Sequence, residues 1–345
     1  MIYFFIIAVL SFLNVLLLLY LIICISDRYR FYDRNHSLKN SSLPISRLGG
    51  VAIFVTFLMG LIFFINESGE SPNVSFYFAV FFLFLLGLND DVFDLKAWVK
   101  FVFQILVVIL VVTYGEIKYL VFIFESMAIN TFIGTVFSVI FLVYVVNAFN
   151  LIDGIDGLAA MLGAVINLIL GLALVLHGDL LYGALAFILF GTLCGFLVFN
   201  FSPAKVFMGD SGSMIIGFIS SVMAFRFIEL NREVFNSVYT GSIVVLALFI
   251  VPLYDTFRVF IIRLILKKSP FRGDDNHVHH RLRKLGFNDW QIVFLLTLYT
   301  LLMVFFVTML FDIGDMILCL ILLINCVFFN IMIDNHLKKA LIQKT

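Results

Sequence analysis

Charge is what this chain is short of. Of its 345 residues, 13% are Asp, Glu, Lys or Arg while 63% are hydrophobic, and the mean hydropathy is +1.14. A soluble domain is nearer a quarter charged and half apolar, so a water-soluble globule is excluded. The 22 basic and 22 acidic residues balance, which removes any bulk attraction to nucleic acid. The four cysteines (Cys24, Cys194, Cys319 and Cys326) lie in apolar runs without metal-ligand spacing; they read as small buried hydrophobes rather than disulfides or ligands. No basic residue precedes the first apolar run, so it lacks the positive front of a secretory signal peptide. Internal repeats of the kind many transporters show are also missing.

Long hydrophobic runs are abundant instead. A bilayer-spanning helix takes about 20 apolar residues, and such runs cover 2–26, 48–66, 75–88, 98–114, 131–149, 158–176, 180–199, 213–230, 238–266, 290–310 and 315–334. They are too long and too unalternating for a barrel. The reading is one all-α, polytopic membrane domain over 1–345 with about eleven (10–11) spans. The stretch 115–130 is left as a hairpin or re-entrant turn. Arg28 and Arg30 close the first run, which sets the N-terminus outside and the tail, with Lys338, Lys339 and Lys344, inside. The other charges agree, since all 22 basic residues except Lys118, Arg226 and Arg232 then fall on inner segments, as the positive-inside rule asks. Trp98 and Trp290 sit near inner helix ends, where interface anchors belong.

Carboxylates near a bilayer are costly, so those present need a reason. They gather in four inner clusters. Asn89-Asp90-Asp91-Val92-Phe93-Asp94 puts acids side by side, and a divalent cation or metal–diphosphate relieves their repulsion. From Asn147 to Leu158, Asn147, Asn150, Asp153 and Asp156 recur every third position, with Gly154 and Gly157 open to close backbone approach. Phe207-Met208-Gly209-Asp210-Ser211-Gly212-Ser213 opens a helix, where serines cap and an N-terminus attracts anions. Asp274-Asp275-Asn276-His277-Val278-His279-His280-Arg281 lies in the most basic loop. There Arg272, Arg281 and Arg283 favour phosphate over a transition metal. Asp255 is a further acid near the membrane, Asn200 a plausible C-cap, and His177 and Asp179 ordinary outer-loop residues. The first inner loop, with His36, either helps to hold an anion or serves topology alone. Together the clusters describe a site for a metal-complexed diphosphate and a second phosphate at the lipid interface.

At these clusters the chain resembles the polyprenyl-phosphate N-acetylhexosamine-1-phosphate transferases. NDDVFD, NAFNLIDGIDGL, FMGDSGS and HVHHRL stand in that superfamily's order over roughly 28–285. The resemblance implies transfer of a sugar-1-phosphate from a UDP-N-acetylhexosamine to polyprenyl (undecaprenyl) phosphate, leaving UMP, as the first step of a cell-envelope polysaccharide. It implies Mg²⁺, or Mn²⁺ in its place, held by Asp210, with Phe207 stacking on uracil and Asn200 and Asp156 recognising the nucleotide. Asp90 and Asp91 would activate the lipid phosphate, Asn150 and Asp153 would work beside them, and Asn147 would contact substrate. His277, His279, His280 and Arg281 would hold phosphates. A bacterial inner-membrane location and a homodimer complete the expectation. The His-x-His-His-Arg form looks like the O-antigen and teichoic-acid initiators, and Ser46 stands where many relatives carry proline.

Three other classes share parts of this pattern. A cation transporter explains the acids but leaves the His/Arg loop idle, and its acids belong nearer the midplane. An intramembrane aspartyl protease is mimicked by Tyr254-Asp255 and Gly209-Asp210, but in reversed order and with Met208 in place of glycine. A membrane prenyltransferase wants Asn-Asp-x-x-Asp, and position 93 is Phe.

Overall fold

The computed structural model describes residues 1–29, 45–115, 131–235, 238–268 and 276–342. The expectations for His36, Arg272, Asp274, Asp275 and Lys344, and for a hairpin within 116–130, fall outside them. The described residues form helices joined by short turns, with no strand among them beyond one isolated bridge, Ser46 to Val206. In order they are α1 (Ile2–Tyr29), α2 (Gly49–Ser68), α3 (Val74–Phe93), α4 (Ala97–Tyr114), α5 (Thr131–Ile152), α6 (Leu158–Leu176) and α7 (Leu180–Asn200). There follow α8 (Gly209–Phe235), α9 (Val238–Leu248), α10 (Ile250–Ile265), α11 (Val278–Lys284), α12 (Asp289–Met309) and α13 (Asp315–Ile342). Ten are long and apolar enough to cross a membrane, and α9 with α10 makes an eleventh, broken span.

The run 238–266 expected as one helix is therefore two, bent by 71°. The cause is Pro252, which has no N–H for the carbonyl of Leu248. It falls instead in the first turn of a new helix, where that donor would go unused anyway. The bend carries Asp255 to the start of α11, where it meets His277 and Val278.

α7 and α8 form the centre, 83% and 89% buried along their apolar windows, whereas α1, α4, α12 and α13 are peripheral. Lipid gives little hydrophobic drive for helix association, so close packing must supply it. Gly191 and Gly195 on α7 show how: a methyl at Gly191 would lie 2.0 Å from the Ala8 carbonyl oxygen of α1. On the other side of the bundle, Gly87 of α3 admits the first turn of α8, and a methyl there would sit 2.4 Å from Ser211 Cα. This approach brings the end of α3 against the start of α8, and the candidate site follows from it.

Away from that end, Asp179 has more to do than an ordinary loop residue. Its carboxylate caps α7 by accepting from the Tyr182 N–H (3.1 Å) and pairs with Arg226, which also binds Glu229 (2.7 Å) and lies over the Tyr182 ring.

Candidate active site

The first four N–H groups of a helix lack intrahelical partners, and a carboxylate is a strong acceptor for them. At α8 that carboxylate comes from α3. Asp91 accepts from the backbone N–H of Asp210 (2.7 Å) and of Ser211 (3.1 Å), and from the Ser211 hydroxyl (2.8 Å). The neighbouring Asp90 points another way. Its carboxylate accepts from the Leu95 N–H and from Lys100 Nζ, both at 2.7 Å. Lys100, at the start of α4, also donates to Asp210 at 2.9 Å, so one ammonium bridges carboxylates 120 residues apart in sequence. Asp94 turns away: it is exposed, left-handed (φ 48°), and ends α3.

The second cluster closes one side of this centre. Asn150, near the end of α5, donates to Ser213 Oγ on α8 (3.2 Å). The turn from α5 to α6 holds Asp153 and Asp156, and Asp156 accepts from the Ala204 N–H (3.2 Å) in the loop before α8. Asn200 fixes the same turn from α7: its Oδ1 accepts from the Gly157 N–H and its amide donates to the Val206 carbonyl. The loop before α8 is in turn held by residues preceding α2, since Phe207 N–H donates to the Ser46 carbonyl and Gly49 N–H to the Phe207 carbonyl. The Phe207 side chain is left half-buried. Ser46 thus supplies a backbone carbonyl that a proline at this position would also offer.

Asn147 lies elsewhere. Its amide donates to Gln104 of α4 (2.6 Å) and to the Val143 carbonyl (2.7 Å), one helical turn away from Asn150. The structure ties it into the packing of α4 on α5 rather than aligning it with the other polar positions.

The histidines arrive on the short α11, against the α5–α6 turn. His277 Nδ1 lies 2.7 Å from Asp255 Oδ2, and the other Asp255 oxygen accepts from the Val278 N–H (2.8 Å). Asp255 thereby fixes the ring and leaves Nε2 directed away from it. His279 is fully buried, stacked parallel to His277 with centroids 5.7 Å apart, and 4.3 Å from His280. Its tip rests on Gly154, where an added methyl would lie 2.3 Å from Nε2. That contact joins the second motif to the fourth. Neither His279 ring nitrogen has a hydrogen-bond partner among the described residues. Burial pushes its pKa down to about 3, so the ring is neutral at physiological pH. Arg281 points to the opposite side of α11, where its guanidinium binds Asn330 and Asp334 of α13.

The structure thus brings Asp90, Asp210, Asn150, the 153–156 turn, Phe207 and the histidines to one end of the bundle. Asp91 and Asn200 brace that end from within, and Asn147 and Arg281 serve neighbouring interfaces. Two residues with a part here escaped the motif reading. Lys100 was counted only as an inner basic residue, though a lysine at the head of an apolar run is itself a signal. Asp255 was noticed but given no partner, because the bend that delivers it to His277 follows from Pro252.

Among the described residues no three His, Cys, Asp or Glu side chains gather as a metal cage. The oxygens of Asp90 and Asp210, already sharing one cation, do suit a hard divalent ion. Mg²⁺ typically takes one or two carboxylates and completes its shell with water and substrate phosphate.

Comparison with known proteins agrees with this arrangement. Residues 73–228, which hold three of the four clusters, match the model of glycosyl transferase family 4. Over 297 residues the chain is 31% identical to a probable undecaprenyl-phosphate N-acetylglucosaminyl 1-phosphate transferase of Bacillus subtilis, covering 84% of this chain and 80% of that protein. It is 32% identical over 278 residues to an undecaprenyl-phosphate alpha-N-acetylglucosaminyl 1-phosphate transferase of Thermotoga maritima, covering 80% and 81%. The Escherichia coli K12 protein of that same name is 28% identical over 284 residues, covering 79% and 72%. With the motifs, the helical architecture and relatives matched over most of their length, the chain belongs to glycosyl transferase family 4, within the superfamily of polyprenyl-phosphate N-acetylhexosamine-1-phosphate transferases.

Proposed function

We propose that this protein transfers an N-acetylhexosamine-1-phosphate, with N-acetylglucosamine the first candidate sugar, from a UDP-sugar to polyprenyl phosphate. The relatives' names supply the lipid acceptor and the sugar; the site supplies reasons for a nucleotide donor. The observation that carries the reading is the Asp90–Lys100–Asp210 bridge at the start of α8. It is a compact, charged centre in which Lys100, and a metal held by the two carboxylates, would stabilise phosphate charge.

A lipid phosphate oxygen attacks the β-phosphorus of the UDP-sugar. The bond from that phosphorus to the bridging oxygen breaks, and UMP leaves with the electron pair. Phosphoryl transfer asks little covalent work of the protein; positioning and electrostatics carry it. Asp90 and Asp210 would hold Mg²⁺, whose charge would offset that of the diphosphate. Lys100 offers a second positive charge to the incoming phosphate. Asp255 keeps the His277 Nε2 free toward the substrate side, and the neutral His279 presents an unused nitrogen beside Gly154. Phe207 offers an aromatic face to the base. Asp153 and Asn150 line the wall between, and Asp156 and Asn200 keep the loop carrying Phe207 in place.

The protease alternative needs two aspartates sharing one proton. Here Asp210 is bridged to Asp90 by Lys100 while Asp255 is paired with His277, so each carboxylate has its own partner. The distribution of basic residues supports an N-terminus outside, a cytoplasmic site and an inner-membrane location. Initiation of a cell-envelope polysaccharide is the corresponding role.

Purified protein given UDP-GlcNAc, undecaprenyl phosphate and Mg²⁺ should form lipid-linked GlcNAc diphosphate and UMP. Asp210→Asn should abolish turnover while the protein still elutes as a folded species. Near-wild-type turnover by that variant at saturating Mg²⁺ would remove Asp210 from the metal role.

A further inference from the structure

α13 is in most respects a peripheral lipid-facing helix. Leu320, Leu323, Ile324, Val327, Phe328 and Ile331 are all exposed. Its polar side chains need a separate explanation, because polar groups on a membrane helix mark contacts. Asn330 and Asp334 are one turn apart on the same face, and both point at a single guanidinium. Arg281 Nη1 donates to Asn330 Oδ1 (2.6 Å), and Nη2 donates to the Asn330 carbonyl (3.1 Å) and to Asp334 Oδ1 (2.6 Å). Arg281 is 2% exposed, so these contacts replace water for a buried cation.

Arg281 belongs to α11, the seven-residue helix whose other faces carry the site histidines. So short a helix cannot hold its own orientation. It is tethered from three directions: Asp255 at its start, Asp289 of α12 through Arg283 (2.5 Å), and α13 through Arg281. The rotation of α11 decides whether His279 rests on Gly154, and a guanidinium held by three acceptors in fork geometry fixes rotation as well as distance.

We propose that Asn330 and Asp334 are positioning residues for the reaction, a strap from the last helix that sets the histidines against the donor's phosphates. The inference rests on the phosphate-holding role proposed for those histidines, taken here as a hold on the donor's phosphates. It makes the last helix, well outside the matched family region of 73–228, a determinant of donor use.

The test is steady-state kinetics on purified, folded variants with each substrate varied in turn. Asn330→Leu removes the amide acceptor at similar volume. Its kcat/KM for UDP-GlcNAc should fall about tenfold or more, as for other losses of positioning, while the KM for polyprenyl phosphate stays unchanged. Asn330→Asp keeps an oxygen acceptor with complementary charge and should restore donor kinetics. Asp334→Ala, at a half-exposed position that folding tolerates, should show the same donor-selective pattern in smaller measure, and it decides the matter if Asn330→Leu does not fold. Combining Arg281→Gln with Asn330→Leu should lose no more than the worse single change. Folded variants with wild-type constants, or with both KM values shifted together, would reduce the strap to general packing and overturn the proposal. A wild-type protein that turns over no UDP-sugar would instead count against the proposed function.

Discussion

Replacing Lys100 by methionine keeps the length and apolar stem of the side chain and deletes one charge. In the native protein that charge lies 2.7 Å from Asp90 and 2.9 Å from Asp210, and the three side chains are only 21%, 11% and 28% exposed. At an effective dielectric of about 20, unit charges 4 Å apart interact by roughly 4 kcal/mol before desolvation is subtracted. Methionine leaves two carboxylates facing each other with no cation between them. Breaking a buried pair in this way costs about 3–5 kcal/mol; the partial exposure here points to the lower end. For a chain of this size that is roughly 5–10 °C in melting temperature. The assay is a thermal melt of detergent-purified protein in chelator and in excess Mg²⁺. In chelator Lys100→Met should melt below wild type by that margin. Mg²⁺ should close most of the gap, because a divalent ion replaces the lost charge between the same oxygens. Identical melts in chelator, or a deficit that Mg²⁺ leaves untouched, would refute the reasoning that Asp90 and Asp210 form one cation site.

Asp90 and Asp91 should part company, since one faces Lys100 and the other caps α8. Asp90→Asn should lower kcat with a smaller loss of stability than Lys100→Met, because Lys100 keeps Asp210, whereas Asp91→Ala should cost about 1–2 kcal/mol of stability, as loss of a helix cap does; equal kcat losses with equal stability would contradict the assignment. His279 gives a pH signature. Its folded pKa is pushed from 6.5 down to about 3, so the unfolded state binds more protons between those values. Stability is therefore full above pH 6.5 and falls as pH drops toward 3, by about 2 kcal/mol at pH 5. His279→Gln should flatten that fall in melts run from pH 7 to pH 5, and an unchanged slope would show that the ring is not buried neutral.

Much of this was legible in the residues themselves. A span announces itself through local composition, so the eleven runs became ten helices and one broken pair. The four motifs likewise gathered at one end because each follows an apolar run two spans after the last. What the sequence hid was direction. Asp90 and Asp91 look like twins in a line of letters, yet successive helical side chains point about 100° apart, which sends one to a lysine and the other to a helix end. Asn147 fits the three-residue rhythm of its motif, but a rhythm of three drifts around a helix of 3.6 residues per turn, and Gln104 was waiting on the adjoining face. Arg281 reads as part of the phosphate site because it follows the three histidines in the same motif. Its real partners lie 49 and 53 residues away on α13, a contact no local pattern encodes. The missed bend at Phe249 is different, since Pro252 was visible and a proline within an apolar run is a reason to divide it.

The central claim is that the bond broken lies between the two phosphates of the donor. The measurement that bears on it most directly uses UDP-GlcNAc labelled with ³²P at the β-phosphate, incubated with purified protein, undecaprenyl phosphate and Mg²⁺, followed by separation of lipid from nucleotide. The account predicts that the label enters the lipid fraction together with the sugar and that unlabelled UMP is released in equal amount. Label remaining on UDP while sugar alone reaches the lipid would contradict it, for that is transfer of a glycosyl group and not of a sugar phosphate.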